Sequence, residues 1–215
     1  MDLKYSFLAL AAACHQQLHN NDWTNDSEAS RHEGVDLARR ALRVASEDPG
    51  VLVYAAEVLA YFGEEIDAAI ELIDRALALN PSFARGWVRS GWLRLWAGQP
   101  ELAISHFENS LRLSPHARKA GTLMAIGVAY FFIRRFGDAQ AMLLRSLQEH
   151  PGWVPTYRFL AACYAHLGRL DEAHEMIRRL RAITSVIVPD AAHWRNPEHR
   201  ELYLSGLRLA AGDTT

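Results

Sequence analysis

The chain is short of several things. Its 215 residues include only two lysines, Lys4 and Lys119, and only two cysteines, and Lys plus Arg number 23 against 25 Asp plus Glu, for a formal net charge of −2. A nucleic-acid surface needs clustered Lys and Arg to replace phosphate counterions, so this balance argues against a nucleic-acid partner. Cys14 and Cys163 stand far apart, each in an apolar helical stretch. That placement suits buried free thiols in a reducing compartment, not a disulfide framework. No run approaches the ~20 apolar residues of a membrane span, and the expected location is the cytoplasm. The stretch Phe7–Cys14 looks like the apolar core of an export leader, but only Asp2 and Lys4 precede it in charge. The positive n-region of such a leader is missing.

Chemistry is scarce as well. There is no glycine-rich phosphate loop and no Gly-x-Ser-x-Gly turn. His15 and His19 lie four apart on one helix face, a spacing that can chelate zinc. A zinc protease would carry its general-base Glu where this chain has Gln16, and no third ligand is evident. His166, His174, His193 and His199 are scattered without a supporting cluster of Cys or acids. Glu64-Glu65 and Asp171-Glu172 each stand just before an expected helix, where acids complement the helix dipole. The expectation is a non-enzyme with no metal and no cofactor.

What the chain does have is a period. Pro49, Pro81, Pro115 and Pro151 follow helix-like runs at separations close to the ~34 residues of a helix–turn–helix repeat. A proline cannot continue the helical hydrogen-bond ladder, so each is expected to end a helix. The clearest unit carries Trp87, Gly91, Gly98, Ala103 and Phe107 before Pro115. The same offsets return as Tyr157, Ala161, Gly168, Ala173 and Ile177, as Leu123, Gly127, Ala139 and Leu143, and as Ala69, Ile73 and Ala76. Small residues let the two helices of a repeat approach, and the large ones fill the space beside them. One helix pair cannot bury its apolar face alone, so several must stack.

This pattern resembles the tetratricopeptide-repeat (TPR) family over about residues 51–183. The resemblance implies an all-α fold, a right-handed α-solenoid of helix–turn–helix repeats. The expected organisation is a solenoid over 1–190. Its irregular first repeat spans 3–49, with helices at 3–19 and 33–47 around a polar loop anchored by Trp23. Further repeats fall at about 51–83, 84–117, 118–153 and 154–188. Ile187-Val188-Pro189 breaks the helical pattern, and 191–215 forms a C-terminal capping helix and tail. Asn196 and Pro197 open that helix, and Leu202, Tyr203, Gly206, Leu207 and Ala210 recur at helical spacing. It either covers the exposed end of the solenoid or reaches back into the groove.

A narrower resemblance covers the whole chain. Ser90–Gly98 with Ala103–Glu108, Leu111–Pro115, and Arg195–Arg200 with Tyr203–Arg208 are similar to the C-terminal repeat region of rhizobial-type class III adenylate cyclases and related bacterial signalling proteins. There such a region follows the catalytic domain and is regulatory or partner-binding. All 215 residues here are used by repeats and tail, so no catalytic residue carries over. The chain is either a fragment of a longer protein or a stand-alone relative.

In the TPR family the concave face is lined by the first helix of each repeat. Mapped onto this chain, the groove residues are Arg85, Val88, Arg89, Trp92, Leu95 and Trp96, then Met124, Val128, Phe131 and Phe132, then Arg158, Ala162 and His166. This is an apolar, aromatic surface rimmed by arginine. It either accepts an apolar, amphipathic helical segment with an acidic contact, or it packs between neighbouring repeats. The expected partner is a protein or peptide segment: an external one, the chain's own C-terminal helix, or a parent catalytic domain. Self-association as a homodimer, or autoinhibition, through that helix is the alternative reading.

Overall fold

Half of the eight prolines open helices. Among residues 3–20, 24, 26–62, 66–115 and 119–212, which the computed structural model describes, there are eleven α-helices and no strand. Pro49, Pro100, Pro155 and Pro197 each stand in the first turn of a helix, where a missing N–H costs nothing. Pro81, Pro115 and Pro151 lie in turns after helices, as expected. Pro49 is a correction: it opens a helix instead of closing one, because Asp48 caps that helix by accepting from the N–H groups of Gly50 and Val51.

The chain divides into two compact units, Met1–Ala97 and Gly98–Thr215. The first holds α1 (Leu3–Asn20), α2 (Ser27–Val44), α3 (Pro49–Tyr61), α4 (Ile66–Leu79) and α5 (Ala84–Trp96). Within it α1 pairs with α2 and α3 with α4, α1 also lies against α3, and α5 packs on α4 and α3. The second unit holds α6 (Pro100–Leu113), α7 (Ala120–Phe132), α8 (Phe136–Glu149), α9 (Val154–His166), α10 (Leu170–Arg181) and α11 (Pro197–Ala211). There α7 pairs with α8 and α9 with α10, α6 lies against α7, and α11 lies mainly along α9.

Two expectations for the first repeat change. Its second helix starts at Ser27, not at 33, because the Asp26 carboxylate accepts from the N–H of Ala29 and caps the helix early. That helix also ends at Val44, short of 47. Trp23 and the Glu64-Glu65 pair lie outside the described residues.

Inside the hairpins the packing follows the small-residue pattern. A Cβ at Gly127 would sit 2.7 Å from Leu143 Cγ and 3.2 Å from the Ala139 carbonyl, so α7 and α8 meet only because that position lacks one. Ser146 ties the same pair, donating from Oγ to the Ala120 carbonyl at 2.8 Å. The large residue early in the first helix does more than fill space. Trp87 donates from Nε1 to the Pro81 carbonyl at 2.8 Å, and Tyr157 donates from its hydroxyl to the Pro151 carbonyl at 2.7 Å. Each side chain thus pins its helix to the turn that precedes it.

The turns after α5 and α9 each contain a left-handed residue, Gly98 with φ 81° and Gly168 with φ 72°. Arg134, with φ 60°, occupies the matching place without being glycine. Arg134 and Gly168 are each followed by an arginine: Arg135 lies over the Tyr130 ring and pairs with Asp138, just as Arg169 lies over Tyr164 and pairs with Glu172.

The Gly127 contact is directly testable. Gly127→Ala is expected to destabilise the second unit by about 1–3 kcal/mol through overpacking. Gly137→Ala, in the first turn of α8 with nothing within 4 Å of its Cβ, is expected to be neutral or stabilising by up to about 1 kcal/mol. Urea denaturation of the two variants against wild type reads both.

Candidate functional site

The expected groove residues have different surroundings in the two units. In the first unit α3 and α5 place Tyr54, Arg85, Val88, Arg89 and Trp92 on a shared face. Arg85 is exposed and donates to the Tyr54 hydroxyl. Val88 and Trp92 are half-buried. Arg89 donates from Nη1 to Glu57 at 2.5 Å. Leu95 and Trp96 turn inward and are buried, with Trp96 6.0 Å from Tyr61 and 6.4 Å from Trp92 between ring centroids.

Glu57 was not visible as a site residue from sequence, since it sits in an otherwise apolar helix. Its side chain is buried, and burial pushes its carboxyl above the usual range against the opposing pull of Arg89, a hydrogen bond from Gln16, and Arg85. It anchors Arg89 from beneath and lends the face a fixed guanidinium. Arg94, next on α5, is consumed within the fold. It spans α4 and α5 by donating from Nη2 to the Asp74 carboxylate at 2.8 and 3.0 Å, and from Nη1 to Ser90 Oγ at 2.5 Å.

In the second unit some of the corresponding positions meet the chain's own tail. Met124, Val128 and Phe131 are buried in α7. Phe132, at the end of α7, stacks on His199 at 4.6 Å and meets Trp194 at 4.8 Å. On α9, Arg158 donates from Nε to the Ile187 carbonyl at 3.2 Å and from Nη2 to the Val186 carbonyl at 2.6 Å. Phe159 stacks on Tyr203 at 4.3 Å. His166 donates from Nε2 to the Leu202 carbonyl at 2.8 Å and stacks on Phe136 at 5.2 Å. A Cβ at Gly206 would lie 2.7 Å from His166 Nε2 and 2.9 Å from Ala162, so α11 settles on α9 through a glycine. The tail also reaches the turn at Gly98, where an added Cβ would come within 2.9 Å of Asn196. The tail therefore covers the expected groove at Phe132, Arg158, Ala162 and His166. The last helix lies on both α9 and α10, so it covers the final hairpin as well as these groove positions.

This seal is strong. Trp194, Leu202, Tyr203 and Leu207 are all buried, at about 1.5–3 kcal/mol each in apolar transfer. Typical coupling energies of about 1–3 kcal/mol would not lift it. Burial also raises the Tyr203 phenol and the Cys163 thiol, so neither ionises near neutrality.

The histidine pair on α1 divides its partners. His15 Nδ1 bonds Ser30 Oγ at 3.2 Å, and His19 Nδ1 bonds the Tyr61 hydroxyl at 3.3 Å. Among the described residues no group of three His, Cys, Asp or Glu is placed to hold a metal ion. Among them, too, no helix is long and apolar enough to cross a membrane.

Two outcomes test the seal. Trp194→Ala is expected to cost about 3–5 kcal/mol in urea denaturation; a loss below about 1 kcal/mol would show a loosely held tail. The second outcome is a pH dependence. Burial lowers the pKa of His193 to about 4, opposed by Asp190 and reinforced by Arg195. Burial also lowers His199, against Glu101 and Glu198 and with Arg134. The folded protein then binds these protons less readily than the unfolded chain, so the stabilisation is whole above about pH 6.5 and declines as the pH falls toward about 4. The loss should reach at most about 2–3 kcal/mol, and His193→Gln with His199→Gln should flatten the slope.

Comparison with known proteins agrees with this geometry. Two family models, each described as Tetratricopeptide repeat, match residues 54–118 and 134–185, together more than half of the chain. Comparison with curated protein sequences gives no match. Among solved structures, PilW, a widely conserved type IV pilus biogenesis factor, superposes with a TM-score of 0.66 at 20% identity, over 94% of each chain. TTC0263, a thermophilic TPR protein of Thermus thermophilus, gives 0.65 at 21% identity, over 92% of this chain and 99% of that one. MamA from Desulfovibrio magneticus RS-1 gives 0.60 at 18% identity, over 80% and 94%. At these identities the likeness speaks for the fold alone, and with the two family matches it closes the question the proline period raised: the chain belongs to the tetratricopeptide-repeat family.

Proposed function

We propose that this chain is a non-catalytic protein-interaction scaffold that holds a partner segment on the α3/α5 face of its first unit. The observation that carries this reading is Arg85. It is exposed, it donates to the neutral Tyr54 hydroxyl, and among the described residues no carboxylate stands within ion-pair distance of it. Beside it lie the half-buried Val88 and Trp92 and the guanidinium of Arg89, held by Glu57. A segment with an apolar side chain and a carboxylate suits that combination, the first covering Val88 and Trp92 and the second meeting Arg85.

The covered face of the second unit supports the same reading by analogy within the molecule. There an arginine captures main-chain carbonyls and aromatic rings stack on an incoming segment, which is how a repeat face of this composition holds chain. Autoinhibition through α11 is the weaker alternative, because the tail is packed as core and exposes a polar outer side with Glu198, Glu201 and Arg208. Service as the regulatory region of a bacterial signalling protein rests on the likeness of 90–98, 103–108, 111–115 and 195–208 to such regions.

The test is capture of binding proteins from a bacterial lysate by the full chain, quantified by mass spectrometry. A partner of this face should be lost, by about tenfold or more, with Arg85→Glu and with Trp92→Glu. It should be retained with Arg145→Glu, an exposed change on α8. A protein held equally by all four chains would sink the proposal.

A further inference from the structure

The first helix is built inside out. On α1 the residues buried against α2 and α3 are the small Ala9 and Ala12, with Gln16. Leu8 packs partly buried against that core, but three other large residues face away: Phe7 is 63% exposed, Leu10 47% and Leu18 37%, and Cys14 between them is exposed. At about 100° per residue these four fall within one narrow stripe opposite the buried side. A solvent-facing helix normally does the reverse, and the end elements of a repeat stack carry polar outer faces for solubility. The second unit follows that rule with α11, and α2 follows it with Glu28, Glu33, Asp36, Arg39, Arg40 and Arg43 on its exposed side. From Phe7 to Asn20 α1 carries no Asp, Glu, Lys or Arg at all.

We infer that this stripe is a self-association surface, and that its occupant is α1 of a second copy of the chain. The argument is self-complementarity. In a two-fold dimer one patch must fit itself, so any charge on it meets a like charge near the axis. A stripe without charge, bounded by the charged side of α2, satisfies that condition, whereas a partner steered electrostatically would have nothing to read. The stripe is narrow, as a two-helix seam requires. Antiparallel pairing sets Phe7 against the second copy's Leu18 at both ends and Leu10 against its Cys14 in the middle, and it opposes the helix dipoles favourably. This surface is independent of the α3/α5 face, so Arg85→Glu leaves self-association unchanged even if partner capture fails.

The test is sedimentation velocity on the full chain over a range of concentrations. Wild type should rise from the 24.2 kDa monomer toward twice that mass. Leu10→Glu, verified as helical by circular dichroism, should associate on the order of a hundredfold more weakly, because the seam would bury two carboxylates. Leu209→Glu, at an exposed apolar position of α11, should behave as wild type. A short bismaleimide should join two chains through Cys14, since Cys163 is buried, and Cys14→Ser should abolish the product. A wild type that stays monomeric overturns the proposal, as would dimers that survive Leu10→Glu or fail to cross-link. Those outcomes assign the stripe to a different protein or to another part of a longer chain.

Discussion

Everything in this fold depends on how closely two helices of a hairpin can approach. At Gly127 the gap to the Leu143 side chain is too small for a single methyl group, and the alanines Ala69, Ala103, Ala139 and Ala173 are buried to 2% or less at the facing positions. Close approach flattens each hairpin, so its apolar residues cannot be covered from within and must be covered by a neighbour. The large side chains are then committed twice, filling space beside the small ones and, at Trp87 and Tyr157, fastening the helix to the preceding turn. A fold of this kind specifies its interior locally and leaves its free surfaces as the unsolved part of the problem.

The chain treats those surfaces unequally. In the second unit the last helix and the loop before it lie along α9 and touch the end of α7, which converts apolar positions that could have received a ligand into core. The deciding quantity is the burial of four large side chains against the small free energies available to a competing segment. In the first unit Arg85 is exposed and Val88 and Trp92 are half-buried, and α1 keeps Phe7, Leu10 and Leu18 on the outside.

The sequence was most informative where a residue type has one job. Prolines and glycines marked the hairpins, the Asn196-Pro197 start was legible as a cap, and the small-residue offsets located the helix pairs. It was less informative where a residue has two. Pro49 could close one helix or open the next, and Asp48 decided that by capping forward. Arg134 hides a left-handed turn because it stands where the related turns carry glycine. Positions on the first helices alone define the expected groove, and nothing in those positions tells that Phe132, Ala162 and His166 meet the tail. Glu57 carries no sequence signal because one acid in an apolar helix has no period; its burial beside Arg89 reveals its role.

The arginines show why position in a repeat does not fix function. Four of them project from α5 and α9, and each is spent according to what faces it. Arg94 closes on Asp74 and Ser90 and belongs to the core. Arg158 gives its donors to the carbonyls of Val186 and Ile187 and belongs to the tail. Arg89 is matched by a buried carboxylate, so its charge is largely answered before any partner arrives. Arg85 alone of the four is exposed and meets a neutral hydroxyl. A carboxylate brought from outside gains most where no internal carboxylate has been there first, and pairing at an exposed site costs little desolvation. Position within the repeat is thus the same kind of helix face for Arg85 and Arg158, and the neighbouring groups, a tyrosine hydroxyl for one and two main-chain carbonyls for the other, set how each guanidinium is engaged.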